Sequence, residues 1–596
     1  MTKLEKIYQV TPISPGIAIG KTIKIGKSRE LEYVKDSYIL ENQTQSEIDK
    51  FHSVLENTKD SVRELKEKLQ GKLSGTEADI FDSHLMILED MSLVKDIERL
   101  ISTKFKSAES AVYEASERYA KILEELSDPY LRERAADVRD VRARVLEHFN
   151  KNSKDSLSEK LVDRRIVLAE ELTPSETAHL PADKVLGFAV NVGSPTSHTA
   201  ILARSMRMPA VVGMPQEIMN LDPATEIIID GYAGRLIVNP NERTLEAYTL
   251  KASEANKFYS SLLEESELHA ETRDGFLVQM AGNIEKLEDV HELKKFGGEA
   301  VGLFRSEISF LASPEPPTEE EQFELYKNLL SSMDGKMVVV RTLDIGGDKL
   351  NDGIFRHQEQ NPFLGLRGIR LCLKAKQDIF RTQLRALLRA GVYGDLKIML
   401  PMLTSVHEIV QVRGIIEEIK NDFIKNKIEF AQKISIGVMI ETPAAALLVD
   451  HIAPLVDFLS IGTNDLVQYT MAIDRSNDLV TYLYQPANPA ILELIGRTVI
   501  AAKENNIWVS VCGQMASDPM YTPLLLGLGV NELSMDPASI SIIRRVIRSL
   551  KMSDAEFLAS EALKCRSSVD VRQMSIELLR KTIPEIADMI IMENER

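Results

Sequence analysis

From about residue 270 onward, eight short apolar runs recur between stretches of helical periodicity: GFLVQMAGN, EAVGLFRSE, KMVVVRTLD, LKIMLPML, ISIGVMIE, DFLSIGTND, WVSVCGQ and NELSM. Eight strands alternating with helices over roughly 300 residues predict a (β/α)8 barrel, a fold whose active site sits at the C-terminal ends of its strands. Here those ends carry Asn283, Arg305, Arg341, Glu441, Asn464, Asp465 and Cys512. So many polar residues closing apolar strands would be odd in a purely structural barrel.

The barrel leaves nearly half the chain to explain, and 596 residues are too many for one core. Residues 6–28 read as short strands around the turn Ser14–Gly16. Residues 29–150 are rich in Glu, Lys and Leu with helical periodicity, as in AVYEASERYAKILEEL. Strand-like runs return in RRIVLAEEL, VLGFAVNVG, PAVVG and EIIIDGYAGRLIVNP, with helices expected at 175–180 and 198–207. The expected architecture is multidomain α/β. Segments 1–28 and 151–241 form one α/β domain, 29–150 is an all-α insert, 242–268 is a linker helix without Gly or Pro, and 269–596 is the barrel.

Charge narrows the function. A net charge of −18, from 72 basic and 90 acidic residues, argues against general nucleic-acid binding, which needs a basic face. It suits a basic protein partner, and leaves room for a local basic pocket. Three cysteines, Cys372, Cys512 and Cys565, make neither a disulfide framework nor a zinc site. The start MTKLEKIYQVTPISPG has no apolar signal-peptide core, and no run approaches the ~18 consecutive apolar residues of a membrane span. A cytoplasmic location without membrane insertion is expected.

Arg305, Arg341, Lys349, Arg367 and Arg475 cluster at or near the barrel's strand ends and loops. Guanidinium forks match the oxygens of phosphate and carboxylate, so the group implies a small, highly anionic substrate, although any single arginine equally suits a structural salt bridge. Glu441 and Asp465 end neighbouring strands. Two carboxylates near phosphate oxygens suit Mg2+, yet they equally suit helix caps or buried acids bonded to arginine. Cys512 closes its strand before a polar turn, whereas Cys372 and Cys565 lie in helical patterns. The loop DIGGDK, Asp344–Lys349, has two glycines that permit close backbone approach to a ligand. His198 follows a loop of small residues at the expected mouth of a helix, where backbone N–H groups and positive potential would receive a phosphoryl group. It is otherwise a capping or solvent histidine.

Together these segments resemble a known family. GSPTSHTAILARSMRMPAVVG is similar to the phosphohistidine signature of the phosphoenolpyruvate (PEP)-utilising enzymes, and DFLSIGTNDLVQYTMAIDR to their barrel signature. SPGIAIG, LTPSET, ERAADVRDV, RTLDIGGDK, NPFLGLRGIR, GVMIETPAAA and VCGQMASDP fall in the order of Enzyme I of the bacterial PEP-dependent phosphotransferase system, from about residue 8 to 580. The resemblance implies that PEP and Mg2+ bind in the barrel and that the phosphoryl group passes to Nε2 of His198, leaving pyruvate. It then passes to the phosphocarrier protein HPr, docked on the helical insert. By the same resemblance Arg305, Arg341, Arg367 and Arg475 clamp substrate, with Lys349 and Asn464 beside them. Glu441 and Asp465 hold the metal, Cys512 exchanges a proton with C3 of enolpyruvate, Thr177 bonds the His198 ring and Arg204 steadies the phosphoryl group. A homodimer through the barrel is also implied.

Three departures from the family pattern stand out. Gly193-Ser194-Pro195 replaces the usual Gly-Gly-Arg of sugar-pathway members. Gln514 replaces a usual Glu, a change that bears on the acidity of Cys512. Gly75-Thr76 and Met91-Ser92 replace acidic pairs near the docking surface, although Glu77, Asp79, Asp82, Glu89 and Asp90 remain. The first two departures support an alternative, a regulatory, nitrogen-branch-like paralogue that signals through its phosphorylation state; the third suits a docking surface tuned to a different partner. A lyase or mutase working through the barrel alone would leave His198 and the insert idle.

Overall fold

The computed structural model describes residues 4–25, 37–69, 84–124, 129–149, 163–170, 184–191, 203, 208–223, 225–311, 315–346, 361–475, 477, 479–587 and 590. The chain divides into two compact units, residues 1–257 and 258–596.

In the first unit, β1 (Lys6–Gln9), β2 (Thr11–Ser14) and β3 (Ile17–Ile25) join β4 (Arg165–Ala169), β5 (Val185–Val190), β6 (Ala210–Val212), β7 (Glu226–Asp230) and β8 (Arg235–Val238). They form one sheet in the order β1-β8-β7-β3-β4-β5-β6-β2. Strand β3 joins its halves, running parallel to β4 and antiparallel to β7. The first three strands thus share a sheet with strands beyond residue 160. Between them lie the helices α1 (Thr44–Leu69), α2 (Met91–Lys104), α3 (Ala108–Glu124) and α4 (Pro129–Phe149). Their apolar stripes meet in a separate core that includes Phe51, Leu55, Ile97, Leu100, Val112 and Val145. The Asp90 carboxylate caps α2 by accepting from the Ser92 and Leu93 backbone N–H groups. Met91 and Ser92 are therefore the first turn of a capped helix. Positions 75–76, like Glu77, Asp79 and Asp82, lie outside the described residues. Helix α5 (Glu242–Glu264) spans the division between the units.

The second unit carries the barrel. Its strands are β9 (Gln279–Ile284), β10 (Ala300–Arg305), β11 (Val338–Arg341), β12 (Leu396–Leu400), β13 (Ser435–Ile440), β14 (Phe458–Ile461), β15 (Trp508–Val511) and β16 (Glu532–Met535). All eight runs read from the sequence are strands, and they close in sequence order. Side chains alternate in and out along each strand. Outward residues pack under helices such as α6 (Glu319–Ser332), α7 (Val406–Asn426), α8 (Thr463–Thr470) and α9 (Pro489–Glu504). Inward ones, among them Leu303, Val339, Met399, Met439 and Phe458, fill the lumen, with Trp508 packed against them. Helix starts follow local chemistry: Thr318 and Glu321 form a capping box for α6, Ser405 and Glu408 another for α7, and Asn488 caps α9 ahead of Pro489. Among the described residues no helix is long and apolar enough to cross a membrane.

Glu532 opens β16 at the end of the barrel away from the loops that follow the strands. It is 2% exposed, and its carboxyl oxygens have no hydrogen-bond partner among the described residues. Burial pushes it up to about 8, with Lys397 opposing and Glu299 adding to the rise. Its pKa in the unfolded chain is about 4.3. The folded state therefore binds the extra proton between those values, and stability falls as pH rises from about 4.5 to about 8, then levels. Trp508, the sole tryptophan, stacks on Phe458 at 4.5 Å and reports on barrel unfolding. Glu532→Gln is expected to shrink the drop in denaturation midpoint between pH 6 and pH 8.5. An undiminished drop would rule Glu532 out as its source.

Candidate active site at the C-terminal end of the barrel

Strand ends β10, β11, β13, β14 and β15, with the loops and helices after them, bring most of the expected barrel residues together. Arg305 ends β10, half-buried, with Nη1 on the Glu285 carboxylate and Nε donating to Glu307 at 3.3 Å. Arg341 ends β11 and is buried; it donates to Glu307 and pairs with Asp344 at 3.0 Å. Arg367 follows the NPFLG turn and is 4% exposed. Its fork donates to Asp344 at 3.2 and 3.3 Å and to Asp465 at 2.9 and 3.0 Å, and Nη1 also donates to the Tyr469 hydroxyl at 3.3 Å. Burial alone would depress both buried guanidiniums, but the carboxylates beside them hold them firmly charged. Each arginine is thus locked between two acids.

The carboxylates carry the complementary strain. Glu441, just past β13, is 1% exposed and accepts from the Met402 backbone N–H. Met402 holds a left-handed φ of 57°, a costly conformation for a side-chain-bearing residue, and one that clusters at functional sites. Burial, then Asp465 and Asp344, raise the pKa of Glu441 against the pull of Arg367 and Arg341. Asp465 lies in the first turn of α8 and is buried on Arg367. Of the two readings of this pair from sequence, the buried acid bonded to arginine is the one seen, at Asp465, which together with Glu441 concentrates negative charge. Two carboxylates offer hard oxygen donors, and crowding that raises Glu441 is what a divalent cation relieves. The residues fit such an ion. Among the described residues no group of three or more His, Cys, Asp or Glu could hold a metal by itself. The remaining ligands would come from substrate and water.

Cys512 directly follows β15 and is 6% exposed. Gly513 permits this placement, because a Cβ there would stand 1.9 Å from Thr463 Oγ1. Burial pushes the thiol up to about 11, while a hydrogen bond from Ser460 and the charge of Arg341 pull it down. At neutral pH it holds its proton. Asn464 accepts from the Gln514 backbone N–H at 2.8 Å through Oδ1, tying the β14 loop to the β15 loop. Gln514 itself is exposed. Asn283, at the end of β9, donates to the Cys512 carbonyl at 3.0 Å. Arg475 sits in the loop after α8, where its backbone N–H donates to Gln468, and it forms no ion pair with a described carboxylate. Burial raises the Tyr484 hydroxyl to about 12, with the charge of Arg475 opposing and that of Asp465 adding to the rise.

Gly346, in the DIGGDK loop, packs against the chain bearing Arg367: a Cβ there would meet Leu366 O and Arg367 Cβ at 2.8 Å. This glycine serves the approach of protein to protein. Cys372 is buried with its thiol raised by burial, and Cys565 stands apart from the site. His198, Thr177, Arg204 and Lys349 lie outside the described residues, as do Ser194 and Pro195. Sequence reasoning passed over Glu285, Glu307 and Tyr469, although Glu307 closes the quoted run EAVGLFRSE.

Three family models match the chain in order. They are the N-terminal region of PEP-utilising enzymes over residues 10–134, the mobile domain over 161–234 and the PEP-binding domain over 261–552. The last contains the whole arginine–carboxylate cluster. A phosphoenolpyruvate-protein phosphotransferase of Priestia megaterium is 42% identical over 97% of this chain and 99% of its own. One of Listeria monocytogenes is 43% identical over 96% and 98%, and one of Bacillus subtilis 41% over 94% and 97%. The chain belongs to the PEP-utilising enzymes, within the phosphoenolpyruvate-protein phosphotransferase family. PEP-utilising enzymes use a metal ion.

Proposed function

We propose that this protein transfers the phosphoryl group of PEP to its own His198 and then to an HPr-type carrier, releasing pyruvate. The observation that supports it best is the convergence of Arg305, Arg341 and Arg367 with Glu441, Asp465 and a protonated Cys512 at one end of the barrel. Phosphoryl transfer needs charge neutralisation and in-line positioning more than covalent chemistry. The arginine forks, with Arg475, Lys349 and Asn464, bind and orient the carboxylate and phosphate of PEP. Glu441 and Asp465 would hold Mg2+, which when bound would further neutralise the phosphoryl oxygens. Cys512 holds the proton destined for C3 of the enolate. His198 receives the phosphoryl group on Nε2, with Thr177 orienting the ring and Arg204 the phosphoryl oxygens. The helices between residues 29 and 150 dock HPr, and the barrel forms the homodimer interface of a cytoplasmic enzyme.

The relatives' shared name and near-complete coverage favour this reading over a regulatory paralogue. The test is incubation with labelled PEP and Mg2+, followed by addition of HPr. Acid-labile label that chases onto HPr is expected. Label that stays on the protein would favour the regulatory alternative, and absence of label would overturn both.

A further inference from the structure

Behind the sulfur of Cys512 two hydroxyls stand in line. Trp508, Ser510 and Cys512 share one face by alternation, as Phe458 and Ser460 do on β14, and Ser460 pairs with Ser510 in register. The Ser510 hydroxyl donates to Ser460 Oγ at 2.8 Å, and the Ser460 hydroxyl donates to Cys512 Sγ at 3.2 Å. Ser460 and Ser510 are 0% and 1% exposed, and the lumen around them is lined by Met399, Met439 and Phe458. Apolar residues of similar size would fill such a place without the cost of burying hydroxyls. The line therefore serves what lies at its end, the sulfur.

Resting on the reading of Cys512 as proton donor, we propose that Ser460, backed by Ser510, is a positioning residue that aims the Cys512 proton at substrate and stabilises the thiolate left behind. With the sulfur accepting from behind, its own S–H has only a long contact to the Ile461 carbonyl at 3.7 Å and is free to turn toward the site. When the phosphoryl group departs, the enolate's C2–C3 π pair takes the proton. The C3–H bond forms, the S–H bond breaks, and its electron pair remains on sulfur until water returns a proton. In a buried place that new charge is costly, and a hydrogen bond to a charged acceptor is worth more than one to a neutral acceptor. Ser460 is the donor already in place, and the charge of Arg341 acts in the same direction.

The experiment compares full-length wild type, Ser460→Ala, Ser460→Thr, Ser460→Ala/Ser510→Ala and Cys512→Ala. Entry of labelled pyruvate into PEP reads the proton step, KM for PEP reads binding, and single-turnover label uptake from PEP reads phosphoryl transfer. Ser460→Ala is expected to slow exchange about 10- to 100-fold, with KM within about twofold and label uptake near wild type. Ser460→Thr restores most of the rate. The double variant, which removes the orphaned Ser510 hydroxyl, is as slow as Ser460→Ala. Wild-type exchange in Ser460→Ala beside a dead Cys512→Ala would overturn the role of Ser460 alone. Loss expressed in KM, or no recovery by threonine, would reduce Ser460 to a packing residue and overturn it as well. Wild-type exchange in Cys512→Ala would instead remove the proton donor itself, and the role of Ser460 with it.

Discussion

Arg367→Lys is expected to lower kcat/KM for PEP by at least about 100-fold while the barrel stays folded. The guanidinium uses both faces of its fork, one on Asp344 and one on Asp465, and adds Tyr469. A lysine keeps the charge, so the two acids are not left bare. It cannot keep two parallel donors in a plane, which is what a phosphate or carboxylate reads. Arg367→Ala differs in kind. It leaves buried Asp465 without its cation and Asp344 with Arg341 as its remaining arginine, a loss of about 3–5 kcal/mol. Trp508 fluorescence during denaturation separates the two outcomes: a near-native midpoint for the lysine variant, a lowered one for alanine. A lysine variant with wild-type turnover would show that the fork serves the protein's own acids and not substrate.

His198→Ala is expected to abolish acid-labile labelling by PEP and yet leave PEP bound to the barrel. The proposed relay separates binding, which rests on barrel residues, from acceptance of the phosphoryl group, which rests on one imidazole. Binding to the folded state alone stabilises it by about 2.7 kcal/mol at a ligand concentration 100 times Kd. PEP with Mg2+ should therefore raise the barrel's unfolding midpoint equally in wild type and variant, with Trp508 as the probe. Labelled His198→Ala would place the acceptor elsewhere in the chain. Loss of PEP-dependent stabilisation in the variant would contradict the division of labour.

The barrel was readable because its strands are apolar runs long enough to stand out from the helical stretches between them, and because polar residues close them. All eight runs are strands of the closed barrel. The sharing of one sheet by strands on either side of the helical block was readable from the return of alternation after residue 160. The pairing inside the site was not. Arg305, Arg341 and Arg367 read as a group for an anionic substrate, with a structural salt bridge the alternative for any one of them, but which acids meet them depends on strand stagger and loop path. Glu285 and Glu307 are ordinary acids in one dimension. Asp344 was read as part of a glycine loop for a ligand, whereas Gly346 lets that loop close on the chain carrying Arg367. Ser460 and Ser510 drew no reading from the sequence, since their meaning comes from register alone.

The chain of alternating acids and arginines has a consequence for turnover. An incoming anion does not meet bare cations. It must replace contacts already made, so its gain is only the difference between old partners and new. A ligand with one carboxylate can replace few of them. A ligand that combines a carboxylate with a phosphate can compete at several arginines at once. The resting ion pairs thus set a threshold of ligand charge. On the proposed function PEP would stand above it, and pyruvate, once the phosphoryl group is gone, would fall below it. The acids that close on the arginines would then be the competitors that expel the product.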